Sequence, residues 1–205
     1  MIALEKSEDG LWLVTLNRPE KANSLTAAML TELCQIMDQA GEGGAKALVL
    51  TGAGNVFSAG ADLDEARAGL AKSPLWESLS AKIAALPCLT IAALNGTLAG
   101  GAMGMALACD LRVSVPGAKF FYPVMKLGFL PQPSDVPRLV ALLGRSRAAM
   151  ILMSGQKIMA DEALSWGLID RIAPDCLDTA RSLAADVLAA KPGHCAAIKA
   201  MIDAR

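Results

Sequence analysis

The chain lacks the residues on which several classes of site depend. Its 205 residues include a single histidine, His194, in a Pro-Gly turn, so a histidine-rich metal site is excluded and a Ser-His-Asp or Cys-His system is disfavoured. The five cysteines are scattered and form no CxxC pair, which favours reduced thiols in a cytoplasmic protein. Aromatic residues make up only 4% of the chain, which argues against an aromatic-rich recognition surface.

Runs of like charge and long apolar runs are also missing. The net charge is -1 and no basic stripe is visible, so no nucleic-acid partner is expected. No stretch approaches about 18 consecutive apolar residues, and the N-terminus lacks the basic and then apolar plan of a signal peptide. No membrane association is therefore expected. Hydrophobic residues are abundant at 54%, enough for the core of one domain over residues 1–205.

The order of the predicted elements indicates an α/β fold. Strands and helices alternate over a core of about residues 1–145, and helices fill the C-terminal part, about residues 146–205. The predicted strands are Leu11–Leu16, Ala45–Thr51, Leu89–Asn95, Leu111–Val115 and Lys119–Tyr122. Their apolar runs are typical of parallel strands buried on both faces. Between the elements, residues Thr51–Asp62 are predicted as a loop and Pro131–Pro137 as a proline-rich turn.

Two segments share the plan of a buried strand, a small-residue loop and a helix. The first loop runs from Gly52 to Asp62 and the second from Asn95 to Ala102. Amides at a helix start have no intrahelical partner, and small side chains let a ligand approach them. Two such amides converging on one point would form an oxyanion hole, worth about 3 kcal/mol or more per donor. The alternative is that both loops only make tight turns and bind nothing. Neither loop fits the sequence pattern of a phosphate-binding loop or of a Rossmann dinucleotide site.

Several motifs, in order along nearly the whole chain, resemble the crotonase family, also called the enoyl-CoA hydratase/isomerase family. They are Asn17-Arg-Pro-Glu-Lys-Ala-Asn-Ser-Leu25, Phe57-Ser-Ala-Gly-Ala-Asp-Leu63, Ala92-Ala-Leu-Asn-Gly-Thr-Leu-Ala-Gly-Gly-Ala102, Cys109-Asp-Leu-Arg112, Pro123–Pro131 and Ala160-Asp-Glu-Ala-Leu-Ser-Trp-Gly-Leu-Ile-Asp170. The resemblance implies a crotonase-like ββα superhelical spiral core with a helical C-terminal region. It also implies an acyl-CoA substrate, with coenzyme A as part of that substrate and no prosthetic group or metal, and a homotrimer or hexamer.

The resemblance also assigns roles to residues. The oxyanion-hole amides fall on Ala61 and Gly101. The residues implied in holding coenzyme A are Lys21, Ala22, Ala59, Asp62 and Leu63. Two of these have structural alternatives, because Lys21 can be an ordinary solvated lysine and Asp62 can simply cap the following helix.

The sequence departs from the family pattern at the acid/base positions. The two glutamates that family hydratases use to activate water fall on Gly104 and Val124, and a third acidic position falls on Gln132. Water addition needs a group that takes and returns a proton, and neither Gly nor Val can do so. Family members also usually continue past the segment that ends near Arg205, so a more open site, or one closed by a neighbouring subunit, is expected.

The remaining candidates for acid/base chemistry are Tyr122, Lys126 and Asp135. Tyr122 or Lys126 could protonate an enolate, as in a decarboxylation or isomerisation, and Asp135 could act as a base. For each, a surface or structural role is the alternative. The sequence therefore predicts an acyl-CoA lyase, isomerase or decarboxylase that is not an efficient hydratase, with a non-catalytic acyl-CoA-binding pseudoenzyme as the competing hypothesis. A peptidase of the related ClpP-like fold is disfavoured because no usable histidine is present.

Overall fold

The computed structural model describes residues 1–204. The strands are β1 (Ile2–Lys6), β2 (Leu11–Leu16), β3 (Ala47–Gly52), β4 (Val56–Ser58), β5 (Leu89–Leu94), β6 (Thr97–Ala99), β7 (Leu111–Ser114), β8 (Lys119–Phe121), β9 (Ile158–Met159) and β10 (Arg171–Ile172). The α-helices are α1 (Ala27–Glu42), α2 (Leu63–Arg67), α3 (Leu75–Ala85), α4 (Met103–Ala108), α5 (Val124–Leu127), α6 (Asp135–Leu143), α7 (Arg145–Leu152), α8 (Ala160–Trp166), α9 (Cys176–Ala189) and α10 (His194–Asp203). Short 3-10 helices cover Pro19–Lys21, Leu70–Lys72 and Gly100–Ala102.

The core repeats a unit of two strands and a helix. Strands β3, β5 and β7 lie in a six-stranded sheet of order β1-β2-β3-β5-β7-β10, and the short strands that follow them lie in a four-stranded sheet of order β4-β6-β8-β9. Each pair of strands is followed by a helix, namely α2, α4 or α5. The ββα spiral expected from the family resemblance is thereby confirmed.

The large sheet is covered on both faces, and its central strands are largely buried on both. In β3, Leu48 and Leu50 face a core formed with α1, α3 and α4, whereas Ala47 and Val49 face the opposite side. On that side, α9 packs against the sheet through small residues such as Ala180 and Ala184. The expectation of strands buried on both faces is confirmed, and the central pairs from β2 to β7 are parallel.

Helix α1 begins directly after its capping residue, Thr26. The Thr26 hydroxyl accepts a hydrogen bond from the backbone N–H of Met29 at 3.2 Å, which satisfies one of the free donors of the first turn. The helix then runs for 16 residues with its apolar face in the core. Over residues 1–204, no helix combines the length and the apolar character that crossing a lipid bilayer requires.

Short strands account for most of the corrections to the predicted elements. The predicted loop over Thr51–Asp62 contains β4, and β6 precedes the Gly-Gly pair. The hairpin partner β1 was not predicted, and neither were β9 and β10, so the C-terminal part is not purely helical. The predicted turn over Pro131–Pro137 ends inside α6, which tolerates Pro137 because an N–H of the first turn has no intrahelical partner.

Candidate functional site

The first loop is shaped by Asn23, whose side chain is completely buried. Its amide nitrogen donates to the carbonyls of Ala53 at 2.9 Å and Val56 at 2.7 Å, and its carbonyl oxygen accepts from the backbone N–H of Arg18 at 2.9 Å. Its backbone carbonyl in turn accepts from the hydroxyl of Ser58 at 2.8 Å. The Asn of the Arg-Pro-x-Lys-x-Asn motif therefore fixes the backbone of the loop that leads to Ala61.

Asn95 connects the first loop to the second. It directly follows β5, and its side chain accepts from the backbone N–H of Gly52 at 3.0 Å and donates to the carbonyl of Gly54 at 2.8 Å. The next residue, Gly96, leaves no room for a side chain, because an added Cβ would lie 2.0 Å from the carbonyl oxygen of Asn55. The two loops are thus held together by one amide side chain and by direct backbone contact.

The two loops touch each other at a pair of glycines. Gly60 and Gly100 have φ values of +94° and +58°, which side-chain-bearing residues rarely adopt. A Cβ on Gly60 would lie 2.9 Å from the carbonyl oxygen of Ala99 and 3.5 Å from the backbone nitrogen of Gly101. Only glycine permits this approach, which brings the backbone of residue 61 next to that of residue 101.

The amides of Ala61 and Gly101 are both available to a ligand. Ala61 forms a parallel bridge with Leu25, in which the carbonyl of Gly60 and the N–H of Asp62 bond to Leu25 at 2.8 and 2.9 Å. This pattern leaves the N–H of Ala61 on the other side of the strand. Gly101 is the second residue of a 3-10 helix, so its N–H has no partner within the helix.

A cavity of about 250 Å³ opens beside these two amides. It is lined by Ala59, Ala61, Leu63, Ala66, Arg67, Ala71, Trp76, Gly100, Gly101, Tyr122, Pro123, Val124, Leu127, Phe129, Leu130 and Gln132. Among the described residues 1–204, no aspartate or glutamate lines this cavity. Its polar side chains are Arg67, Tyr122 and Gln132, and the rest of the lining is apolar side chains and backbone.

Behind Tyr122 lies a buried carboxyl group. The Tyr122 hydroxyl donates to Oδ2 of Asp135 at 2.9 Å and accepts from the backbone N–H of Gln132 at 3.3 Å. Asp135 is 0% exposed, and its Oδ1 has no hydrogen-bond partner among residues 1–204. Burial raises the pKa of Asp135 to about 6 and also raises the pKa of Tyr122, which keeps the phenol protonated.

The Asp135 carboxyl group occupies the space in front of Gly104. A Cβ on Gly104 would lie 2.8 Å from Oδ1 of Asp135, which is closer than real Cβ contacts. We expect Gly104→Ala to lower the free energy of unfolding by about 1–3 kcal/mol in urea titrations. In the Asp135→Gly background the same change is expected to be neutral or stabilising, because alanine is the better helix former.

Gly41 provides the matched control for this measurement. It also lies in a helix, α1, but a Cβ there would meet only the Leu86 side chain at 3.8 Å, an ordinary contact. Gly41→Ala is expected to stabilise the protein by about 0.5–1 kcal/mol. Equal tolerance of alanine at positions 41 and 104 would contradict the placement of Asp135.

Of the other residues predicted for the site, some line the cavity and others lie outside it. Ala59 and Leu63 line it, and the backbone N–H of Ala59 donates to the carbonyl of Ala22 at 2.9 Å. Lys21 is exposed on the 3-10 helix that precedes Ala22. Lys126 is exposed on α5 and does not line the cavity.

Asp62 acts as a helix cap, the alternative raised from the sequence. Its carboxylate accepts from the backbone N–H groups of Asp64 and Glu65 at the start of α2, at 3.1 and 3.4 Å. It also pairs with the Arg18 guanidinium at 2.8 Å, and this hydrogen bond holds the pKa of Asp62 below its usual value. Asp62 thus ties the first loop to the Arg18 segment.

Sequence reasoning missed several residues that position the site. Asn23, Asn95 and Arg18 stand inside the quoted motifs, so their places in those motifs were the available signal. Trp76 carried no such signal. Its indole N–H donates to the carbonyl of Leu70 at 2.8 Å, and its ring lies 3.2 Å from the point where a Cβ on Gly101 would stand.

Comparisons with known proteins show which family the chain resembles in sequence and in fold. The model of the family described as "Enoyl-CoA hydratase/isomerase" matches residues 6–205. The "Probable enoyl-CoA hydratase echA6" of Mycobacterium bovis is 37% identical over 193 residues, which cover 94% of this chain and 78% of that protein. The 1,2-epoxyphenylacetyl-CoA isomerase of Escherichia coli is 33% identical over 193 residues, covering 88% and 74%. The crystal structure of an enoyl-CoA hydratase from Bacillus anthracis superimposes with a TM-score of 0.91 at 31% identity, covering 98% and 82%.

Proposed function

Because this chain belongs to the enoyl-CoA hydratase/isomerase family, we propose that its cavity binds an acyl-coenzyme A thioester and stabilises the thioester enolate. In this proposal the backbone N–H groups of Ala61 and Gly101 donate to the carbonyl oxygen. The observation that supports it is the contact between the two loops: residues 61 and 101 both line the cavity, and neither backbone N–H has a hydrogen-bond partner within residues 1–204. Donors fixed where negative charge develops are the largest single contribution in many enzymes.

The coenzyme A portion is proposed to lie along the first loop and the segment next to it. Ala59 and Leu63 line the cavity, and Ala22 is hydrogen-bonded to Ala59. Lys21 is exposed beside Ala22, where its ammonium group can meet a phosphate. Asp62 supports this wall indirectly, through its cap on α2 and its pair with Arg18. No separate prosthetic group is part of the proposal.

The proposed reaction is an enolate reaction without water activation, namely a decarboxylation or an isomerisation. Residue 124 is a valine in the cavity wall and residue 104 is a glycine covered by Asp135, so neither can hold and activate a water molecule. The similarity to an isomerase of a CoA thioester is compatible with this choice. Among the lining residues, Tyr122 is the group with a proton to exchange.

A panel of CoA thioesters tests the proposal. With crotonyl-CoA, we expect no hydration above the uncatalysed rate in an absorbance assay, because neither position 104 nor position 124 provides a carboxylate that could hold and activate a water molecule. With malonyl-, methylmalonyl- and enoyl-CoA compounds analysed by mass spectrometry, we expect at least one to be converted. Hydration of crotonyl-CoA at a rate typical of enzymes would overturn the roles given to Gly104 and Val124.

A second candidate function is acyl-CoA binding without turnover. It is favoured by one observation, the lack of any carboxylate in the cavity lining within residues 1–204. Calorimetric titration with coenzyme A and acyl-CoA distinguishes the two functions. Tight binding of acyl-CoA without conversion of any compound in the panel would show that the protein binds acyl-CoA without turning it over.

We also propose a homotrimer or hexamer. Apolar side chains surround the mouth of the cavity and lie open to solvent, among them Leu63 at 67% and Leu130 at 88% exposure. Groups of exposed apolar side chains of this kind mark contact surfaces. Light scattering during size-exclusion chromatography measures the assembly directly, and a monomer at micromolar concentration would contradict this part of the proposal.

A further inference from the structure

We propose that Tyr122 and Asp135 form a proton relay, in which Tyr122 exchanges a proton with the α-carbon of the bound thioester and Asp135 holds that proton behind it. The inference rests on the enolate chemistry proposed above. In this arrangement Tyr122 is the catalytic residue and Asp135 acts through it. Separate experiments distinguish a failure of the relay from a failure of the enolate proposal.

The relay is suggested by the order of the groups from the cavity inwards. Tyr122 lines the cavity together with Gly101, whereas Asp135 does not reach the cavity surface. The carboxyl group is connected to the cavity by the 2.9 Å hydrogen bond from the phenol. Any proton that passes between Asp135 and a bound ligand along this connection must pass through the Tyr122 oxygen.

The surroundings of Asp135 make its carboxylate a poorly stabilised anion. Oδ2 accepts from Tyr122 and Oδ1 accepts nothing from residues 1–204, although both atoms are buried. A buried carboxylate is ordinarily stabilised by two or three donors, so this one binds a proton more readily. The orphan oxygen points at Gly104, where no side chain is present to bond to it.

Two charged groups from the neighbouring elements face Asp135. Arg138, one turn later on α6, lowers the pKa of the carboxyl group, and Glu77 on α3 raises it, but burial outweighs both. Arg138 bonds to the hydroxyls of Ser80 and Ser134, and Glu77 accepts from the N–H and the hydroxyl of Ser134. Both charges are therefore held by other partners, and neither forms an ion pair with Asp135.

The proton is delivered by two coupled transfers. When Asp135 is protonated, its Oδ2–H donates to the Tyr122 oxygen, and the phenol hydrogen is free to turn into the cavity. The Tyr122 O–H bond then breaks as a C–H bond forms with the electron pair of the enolate. At the same time the carboxyl proton moves to the Tyr122 oxygen, which leaves Asp135 as a carboxylate and Tyr122 as a neutral phenol.

The reverse sequence removes a proton from the α-carbon. The ionised carboxylate takes the phenol proton through the hydrogen bond present in the structure, and the Tyr122 oxygen takes the proton from the α-carbon. The electron pair passes into the enolate, whose oxygen is held by the two backbone amides. Deprotonation through the relay therefore requires ionised Asp135, and reprotonation requires its neutral form.

The first test needs no substrate, because Tyr122 is the only tyrosine of the chain. With tyrosine labelled with carbon-13, the ring signals are expected to shift with a midpoint near pH 6 as Asp135 titrates. The shift should vanish in Asp135→Asn and persist in His194→Gln, which removes the single, exposed histidine of the chain. A wild-type spectrum without this titration would overturn the relay, whatever the turnover.

The second test measures deuterium uptake at the α-carbon of butyryl-CoA in D2O. The wild-type exchange rate should rise as the pH rises through about 6 and then level off, because deprotonation needs the ionised carboxylate. Asp135→Asn preserves an acceptor for the phenol, yet we expect its rate to fall about 100-fold and its pH dependence near 6 to disappear. Tyr122→Phe should lose exchange to a similar extent while retaining its affinity for coenzyme A.

The outcomes distinguish the relay from the enolate proposal. If the Asp135→Asn variant exchanges the α-proton at the wild-type rate and with the wild-type pH profile, Asp135 has only a structural role. That result would overturn the relay but not the enolate proposal. A tyrosine titration near pH 6 without any exchange in the wild type would overturn the enolate proposal, and the catalytic use of the relay with it.

Discussion

Proline at position 101 is expected to lower the rate of α-proton exchange into butyryl-CoA by about 10²–10³-fold, the loss typical of removing one oxyanion-hole donor. Proline has no N–H, so the substitution removes the amide itself and leaves the other donor in place. Position 101 lies in the first turn of a 3-10 helix, where no intrahelical hydrogen bond is lost. Deuterium uptake measured by mass spectrometry gives the rate.

Gly101→Ala is the matched control for this substitution. A Cβ at position 101 would lie 3.2 Å from the Trp76 ring, and both variants introduce that contact. Only the proline variant also removes the N–H group. If the alanine variant loses exchange as severely as the proline variant, the loss arises from crowding against Trp76. If the proline variant folds, as judged by its thermal melt, and exchanges at the wild-type rate, the oxyanion hole is not where we propose it.

Arg112→Met is expected to have the largest effect on stability, a loss of about 3–5 kcal/mol in the free energy of unfolding. Arg112 is 5% exposed, and its guanidinium donates to the carbonyls of Leu168 and Cys109, both at 2.8 Å. It also pairs with Asp170 at 3.2 Å. Methionine fills a similar volume, but it leaves two buried carbonyls without donors and a partly buried carboxylate without its cation.

Arg67→Met serves as the control for the Arg112 measurement. Arg67 also pairs with an aspartate, Asp64, at 3.3 Å, but both side chains are largely exposed. Exposed pairs of this kind contribute little, so the change in the free energy of unfolding should stay below about 1 kcal/mol. Urea unfolding of both variants decides the matter, and similar losses would show that the Arg112 network is not a stabilising buried cluster.

The network around Arg112 also explains why two of the motifs occur together. Arg112 ends the Cys-Asp-Leu-Arg motif at β7, and Asp170 ends the Trp-Gly-Leu-Ile-Asp motif after α8. The Asp170 carboxylate accepts from the backbone N–H of Arg112 at 2.7 Å in addition to pairing with its side chain. These two motifs therefore join the C-terminal part to the sheet and take no part in the cavity.

The fold could be predicted where local sequence determines it. Strands β2, β3, β5, β7 and β8 were all predicted, because each could be recognised from its own residues without reference to any partner. Strands β4 and β6 were not predicted, since they pair with each other and form only because the two loops lie side by side. Strand β10 has two residues and depends on pairing with β7, which lies far from it in the sequence.

The site was predictable to a different extent. The positions Ala61 and Gly101 came from motif resemblance, and the convergence of the loops could not have been deduced from either loop alone. Tyr122 and Asp135 were each named as candidates, but their pairing depends on how α6 packs against α4. From the sequence, Gly104 could be recognised only as a position that lacks the glutamate of family hydratases. Only the structure shows that the missing side chain leaves room for the Asp135 carboxyl group.

The contact between Gly60 and Gly100 has a consequence for how such a protein can diversify. The proposed carbonyl-binding geometry depends on main-chain atoms and two glycines, and no side chain of the cavity wall takes part in it. If the proposal holds, substitutions elsewhere in that wall, at positions such as 122, 124 or 132, can exchange one reaction for another while the proposed carbonyl-binding element is inherited unchanged. Substitutions at the two glycines have no such freedom. A methyl group on Gly60 would lie 2.9 Å from the carbonyl oxygen of Ala99 in the other loop, and the φ of +58° at Gly100 disfavours any side chain there.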